Sequence, residues 1–343
     1  MPSRNFGTSS NIKTLVDGFR PIETIKIWEK DMTHAKSGIH MKLMSKLLKV
    51  FYLPICRAYA RHIIGDRPAD SVMHLLCSLD FWSVRGYWPN LRNPRSFEEK
   101  LCSRMLFDRN PQWTMLSDKL RMRDYVTDKV GNKYLVPLLW SGNKPEEIPF
   151  DELPLKFVIK TNHGCGYNII VKDKTQLNQA KTIFQLNKWL GENFCQDRAL
   201  GTEWAYKNIK PRIIVESFLD DNGNVPVDYK FFCFSGRTEF IQMNFDRFGD
   251  PYEKTFDRDF NPMDLWQGTK QYPGKVMRPE NYEDMIRVAE LLAGNLDFIR
   301  VDFYNVGGRI FVGELTCYPG GGRIVWIPRR YDFLLGEKWK SEF

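Results

Sequence analysis

Beyond residue 70 the apolar positions fall mostly into short runs and alternations, with helical spacing between them. Phe157-Val-Ile159 and Ile169-Ile-Val171 flank a polar, glycine-rich loop, Lys160-Thr-Asn-His-Gly-Cys-Gly166. β-branched and aromatic runs broken by glycine read as strands joined by a turn, so this stretch predicts a strand, a loop and a second strand. Further strands are predicted at Tyr134–Leu139, Ile213–Leu219, Val227–Phe234, Thr238–Met243, Phe298–Tyr304 and Ile310–Leu315. Helical spacing predicts elements over 176–194, through Leu177, Ile183, Leu186 and Leu190, and over 281–292. Asn93-Pro-Arg-Ser-Phe-Glu-Glu-Lys100 opens a helix, with Ser96 as cap and Glu98 and Glu99 in the first turn. Ser117 or Asp118 caps a cationic helix that ends near Val130-Gly131. Strand pairs interleaved with single helices predict an α+β protein and not a doubly wound parallel sheet.

Residues 1–36 are polar and irregular, and about 40–64 carry a basic amphipathic pattern. Met44, Leu47, Leu48, Phe51 and Ile55 lie on one side, Lys42, Lys46, Lys49, Arg57 and Arg61 on the other, and Pro54 divides it. Such a helix packs on its own domain with its cations in water, or contacts an anionic membrane or lipid-linked saccharide.

Composition narrows the field little. A 343-residue chain with 43% hydrophobic and 27% charged residues is an ordinary globular one, and its net charge of +8 suits an anionic partner without choosing among nucleotide, acidic sugar, lipid surface or nucleic acid. Seven scattered cysteines without a Cys-x-x-Cys pair argue against a zinc site or a disulfide framework. The first 30 residues lack a signal-peptide core, and no run approaches a bilayer's thickness. The expected setting is the cytoplasm, or the inner face of the membrane through 40–64.

The chemistry concentrates in two places. In the loop after Phe157-Val-Ile159, Gly164 and Gly166 let the backbone turn and approach a ligand, with the Lys160 ammonium beside them. The loop is not a Walker A loop, because no Gly-Lys-Ser/Thr follows. In the tail, Arg300-Val-Asp-Phe303 and Glu314-Leu-Thr316 lie on consecutive strands joined through Gly307-Gly308. Alternation puts Arg300 and Asp302 on one face, and a hairpin brings Asp302 to Glu314. Two carboxylates beside an arginine suit Mg2+ and a phosphoryl group, or form a plain ion-pair cluster.

The order of these blocks resembles the ATP-grasp superfamily, and more closely its TupA-like branch. That resemblance rests on Asn93-Pro-Arg-Ser-Phe-Glu-Glu-Lys100, Ser117-Asp-Lys119, Lys160-Thr-Asn-His-Gly164, Asp228-Tyr-Lys-Phe-Phe-Cys-Phe234 and Glu314-Leu-Thr-Cys-Tyr-Pro-Gly320. It spans roughly 90 to 335. It implies an ATP-grasp fold of two α+β lobes clasping ATP behind a mostly helical N-terminal region: 1–116 with the acceptor-substrate part, 117–217 with the lid hairpin, and 218–343 with the Mg2+/phosphate site. It assigns Lys160 and Arg300 to catalysis. It assigns Arg123, Lys160, His163, Gly164, Gly166, Glu216, Phe218, Leu219, Asp228 and Lys230 to the nucleotide. Asp302, Glu314 and Thr316 fall to the metal, Thr316 standing where the family carries Asn. Lys119 lies one turn from Arg123 and is the other choice for the first cation. For His163 a bond to a backbone carbonyl and a phosphate contact stay open, and for Asp228 and Lys230 an ion pair. Backbone N–H groups of Gly320–Gly322 are placed to steady a tetrahedral intermediate.

The implied activity is ATP-dependent carboxylate–amine ligation through an acyl phosphate. Its substrates would be small molecules or saccharides: an amino acid and a uronic acid of a bacterial surface polysaccharide or its precursor. No nucleic acid partner is expected. The competing reading is a metal-dependent glycosyltransferase of polysaccharide biosynthesis using Asp257-Arg-Asp259. A kinase-like enzyme lacks its His-Arg-Asp and Asp-Phe-Gly blocks, and a non-catalytic binder leaves the carboxylate hairpin without a role.

Overall fold

The computed structural model describes residues 71–197, 202–221, 225–246 and 249–341; the amphipathic pattern at 40–64 lies outside them. The order is α1 (Ser71–Arg85), α2 (Phe97–Phe107), α3 (Pro111–Ser117), α4 (Arg121–Val130), β1 (Leu138–Gly142), β2 (Phe157–Thr161), β3 (Asn168–Val171), α5 (Gln179–Leu190) and α6 (Phe194–Asp197). Then follow β4 (Ile213–Ser217), β5 (Asp228–Phe234), β6 (Arg237–Phe245), β7 (Tyr252–Asp257), β8 (Lys270–Gln271), α7 (Tyr282–Ala293), β9 (Phe298–Val306), β10 (Arg309–Thr316) and α8 (Arg330–Lys338). The protein is α+β, as the pattern predicts. Among the described residues no helix is long and apolar enough to cross a membrane.

Two sheets carry the site. A four-stranded antiparallel sheet runs β1-β4-β2-β3, and a six-stranded sheet runs β10-β9-β5-β6-β7-β8, parallel only at β7–β8. Alternation gives each a core face. Phe157 and Ile159 of β2 pack with Ile213, Val215 and Leu186 into one core. Ile299, Val301 and Phe303 of β9 pack into a larger one that also takes in α2 and α8 through Phe97, Leu335 and Trp339. The residues between them, Val158 and Lys160 on β2 and Arg300, Asp302 and Tyr304 on β9, point the other way and line a shared cleft.

The helix starts follow their caps. Ser96 and Glu99 form a capping box, with Glu99 N donating to Ser96 Oγ at 3.2 Å and Ser96 N to Glu99 Oε2 at 3.1 Å. Asp118 receives Leu120 N at 2.9 Å ahead of α4, which Gly131 ends at a φ of 97°. Two elements differ from expectation. The strand expected at Tyr134–Leu139 starts at Leu138, after a 3₁₀ turn at Asn132–Tyr134. Pro137 has no N–H for the ladder and serves only as acceptor, from Ser217 N at 3.0 Å. The helix expected over 176–194 is shorter, capped by Asn178 and closed by Gly191.

Candidate active site

The cleft between the sheets has a volume of about 480 Å3. Its wall from the four-stranded sheet carries Val158, Lys160, Asn168, Ile170 and Glu216, continued by Phe218 and Leu219 beyond β4. The opposite wall carries Asp228, Lys230, Arg300, Asp302, Tyr304, Glu314 and Thr316. Thus the hairpin block and the tail block, 140 residues apart from Lys160 to Arg300, face each other in one place.

On the first wall a single carboxylate holds two cations. Lys160 Nζ donates to Glu216 Oε2 at 2.6 Å, and Arg123 Nη1 donates to Glu216 Oε1 at 2.8 Å. Arg123 also donates to the Val136 carbonyl at 2.8 Å. Burial works against the Lys160 charge, yet Glu216, with Tyr304 and Glu314 on the facing wall, holds its pKa above the usual lysine value. Arg123 does not line the cleft; Lys119 does, with its ammonium on the Gly164 carbonyl.

On the second wall Arg300 grips Asp302 bidentately, Nε to Oδ1 at 2.7 Å and Nη2 to Oδ2 at 2.6 Å, and donates to Thr316 Oγ1 at 3.1 Å. Lys230 binds Asp228 along its own strand and lies 3.5 Å from Asp302 Oδ2. Burial opposes the Arg300 charge, but the carboxylates of Asp302, Glu314 and Asp228 raise its pKa still further.

Asp302 faces Glu314 because of one extra residue. The hairpin turns at Gly307-Gly308, both with positive φ, and pairs Val306 with Arg309 and Phe303 with Val312. An unbroken ladder would set Asp302 opposite Gly313 and turn Glu314 toward the core with Val312. A β-bulge between Val312 and Glu314 advances the register, so Glu314 pairs with Asp302 and Thr316 with Arg300. Gly313 fills the bulge where a Cβ would lie 2.9 Å from the Tyr304 ring.

Could these donors hold a metal? Among the described residues no group of three or more His, Cys, Asp or Glu converges as a metal cage. Asp302 and Glu314 offer two carboxylates, and the Glu314 side chain forms no hydrogen bond or ion pair among the described residues. That donor set fits Mg2+ carried in with phosphate oxygens, which complete its shell, and does not fit a metal held by protein alone.

The loop between β2 and β3 is fixed at its base. Asn162 Nδ2 donates to Asp118 Oδ1 at 2.9 Å, and Asn162 Oδ1 accepts Arg212 N at 2.7 Å. The blocks Ser117-Asp-Lys119 and Lys160-Thr-Asn-His-Gly164 thus meet through these two side chains. Of the open alternatives for His163, the structure has the backbone bond: its ring is buried, Nε2 lies 3.0 Å from the Trp189 carbonyl and 3.2 Å from that of Glu192, and it does not line the cleft. Burial lowers its pKa. Gly166 has a φ of 77°, whereas Gly164 is needed for space, since a Cβ there would lie 2.8 Å from Tyr167 and Phe194. Asp257 accepts from Asp259 N at 3.0 Å and Asn261 N at 2.8 Å, shaping a turn away from the cleft.

At the far end of the cleft the sequence points to the Gly320–Gly322 loop but not to Glu203 and Tyr206. That end is lined by Cys77 and Asp80 of α1, Cys102 and Met105 of α2, the Gly320–Gly322 loop, Arg323, and Glu203 and Tyr206 of one 3₁₀ turn. Arg85 supports the loop from behind, donating to the Gly322 carbonyl at 3.1 Å, the Ile324 carbonyl at 2.7 Å and Glu98 Oε2 at 2.6 Å. Residues 202–206 have no periodic pattern, so only a carboxylate three residues before a tyrosine marks them in the sequence.

Among curated proteins no sequence matches this chain. Solved structures similar to it include a D-alanine–D-alanine ligase from Bacillus anthracis, at 16% identity and a TM-score of 0.40, covering 64% of this chain and 65% of that one. An L-amino acid ligase from Bacillus licheniformis shows 14% identity and a TM-score of 0.41, covering 66% of this chain and 50% of that one. A D-alanine–D-alanine ligase from Helicobacter pylori shows 14% identity and a TM-score of 0.37, covering 67% of this chain and 60% of that one. The chain thus spans less than two thirds of the length of each of these three ligases. A family model described as TupA-like ATPgrasp matches residues 99–340, most of the chain and all of both cleft walls. With the blocks that resemble it now facing one another across a single cleft, the chain belongs to the TupA-like ATP-grasp family.

Proposed function

We propose that the protein is an ATP-dependent carboxylate–amine ligase that works through an acyl phosphate. One observation carries this reading: Lys160 on one sheet and Arg300, Asp302 and Glu314 on the other converge on the same cleft. The adenine end would lie among Val136, Val158, Ile170, Phe218 and Leu219, which supply apolar walls. Lys160, Lys119 and Arg300 would neutralise the transferring phosphoryl group, the main service a protein offers this step. Asp302 and Glu314 would hold Mg2+ together with phosphate oxygens, and the ion would supply Lewis-acid neutralisation of the same charge.

Chemically, a substrate carboxylate attacks the γ-phosphorus and ADP leaves. The acyl phosphate then loses inorganic phosphate to an attacking amine. The loop of Gly164–Gly166 lines the cleft through Cys165 and Gly166 and would keep water from the intermediate. Gly320 would offer its backbone N–H to the tetrahedral oxyanion, the Gly321 N–H being donated to the Tyr318 carbonyl at 3.0 Å. A uronic acid of a bacterial surface saccharide is the carboxylate we favour, on the family resemblance and the +8 charge. The glycosyltransferase alternative draws no support from Asp257, whose oxygens are spent on its turn.

The test is ADP and phosphate release from MgATP with mixed amino acids and uronic acids, with hydroxylamine added to trap acyl phosphate as hydroxamate. Release that needs both substrates and disappears in Lys160→Ala and Glu314→Ala is the expected result. Failure of folded wild-type protein to bind MgATP would discard the reading.

A further inference from the structure

Nothing in the ligation chemistry so far says where the amine sits. Glu203 and Tyr206 stand at the two ends of the 3₁₀ turn Trp204–Tyr206, with Tyr206 N donating to the Glu203 carbonyl at 3.2 Å. Side chains three apart in a 3₁₀ turn eclipse one another, and both of these line the cleft. The Glu203 carboxylate lies so close to Gly321 that a Cβ there would be 2.9 Å from Oε1. It therefore lies against the glycine loop proposed for the oxyanion.

The side-chain groups of this pair have no hydrogen bond or ion pair among the described residues. The charged group acting on Glu203 inside the cleft is Glu314, a like charge and not a partner. Tyr206 is 6% exposed, and the acidic groups acting on its phenol include Glu314 and Glu203. A carboxylate inside the cleft without a countercharge is costly, and the Tyr206 phenol lines the same cleft. A ligand that is both cationic and a hydrogen-bond donor suits both.

We infer that Glu203 and Tyr206 form the subsite for the amine substrate, receiving it as a primary ammonium beside the Gly320–Gly322 loop. The inference rests on the ligase reading above. Glu203 takes one proton from the ammonium, and the freed lone pair forms the C–N bond at the acyl carbon. The C–O bond to phosphorus breaks, and the leaving phosphate takes a second proton from nitrogen as the amide forms. Tyr206 accepts or donates one hydrogen bond to the nitrogen and orients it.

Saturation-transfer NMR tests this without knowledge of the true substrate. The probe is a mixture of the twenty L-amino acids and glucosamine, with MgADP present, against wild type, Glu203→Gln and Tyr206→Phe. The same compounds N-acetylated serve as control. Wild type should give transfer to at least one free amine and to no acetylated one. Glu203→Gln should lose that signal at least tenfold, and Tyr206→Phe about threefold, with both variants retaining a cooperative unfolding transition. Equal transfer in Glu203→Gln and wild type, or no amine signal in wild type, overturns the inference. The melting shift of wild type with MgATP is read separately. Its presence beside either negative result leaves the ligase reading intact, and its absence removes both.

Discussion

The two ends of the cleft treat charge in opposite ways. At the phosphate end four cations are already matched: Glu216 binds both Lys160 and Arg123, Asp302 binds Arg300, and Lys230 sits on Asp228. At the other end Glu203 has no ion pair among the described residues, and the charged group acting on it is a second carboxylate, Glu314. The first arrangement keeps a basic site folded while it is empty, at the cost of an anion that must give way. The second leaves a carboxyl whose ionised form finds a partner only in what it binds.

The sharpest way to break this contrast is Arg300→Ala. It strips the bidentate partner from a carboxylate only 8% exposed, and losing one member of a buried pair costs about 3 kcal/mol or more. Denaturant titration should show that loss, and ligation should fall about 10³-fold with removal of a charge-stabilising donor. The pair of changes Arg300→Met with Asp302→Leu should recover most of the stability and none of the turnover.

Glu216→Gln probes the matched end more finely. If Glu216 chiefly neutralises Lys160 and Arg123, the melting temperature of the empty protein drops while the shift produced by MgADP grows. A smaller MgADP shift would mean instead that Glu216 itself holds adenine or ribose, the role the family resemblance assigns.

The unmatched end has a pH signature. A carboxyl raised from an ordinary 4.5 to about 8 in the folded state favours folding fully below pH 4.5 and loses that contribution as pH rises toward about 8. Glu203→Gln lacks the effect, so its melting temperature should gain on wild type between pH 5 and 8 and run parallel above. The groups facing Glu203, namely Glu314, Cys165 and Tyr206, remain in both proteins. The smallest effect is expected from Asp259→Ala, outside both ends. Its side chain is exposed, and stability should move by no more than about 0.5 kcal/mol. A collapse of activity there would revive the transferase.

Much of the matched end is legible from the residues alone. Period-two alternation puts Arg300 and Asp302 on one face, and Lys160 at the end of an apolar run with Gly166 after it marks a strand entering a tight loop. Ser96 with Glu99 announces a helix start that the structure has. Tertiary choices hide the rest. His163 looks available for a phosphate beside its glycines, yet its buried ring turns inward onto the carbonyls of Trp189 in α5 and Glu192 just beyond it. Lys119 and Arg123 lie one turn apart on paper; the fold sends one into the cleft and the other onto Glu216 from outside it. Asp118 and Asn162 carry no signal of their contact, which spans 44 positions. Glu203 and Tyr206 lie on a turn with neither period, where polarity gives no direction.

The bulge at Gly313 makes the second wall a matter of counting. Between Asp302 and Glu314 the chain must contain a number of residues that returns to the same side after a turn and one irregularity. Losing any single residue there would exchange inside for outside for every position up to Thr316, sending Glu314 into the apolar core and Leu315 into the cleft. Losing two, one from each strand beside the turn, would shorten the hairpin and leave the sides as they are. The segment therefore tolerates changes of spelling far better than changes of length.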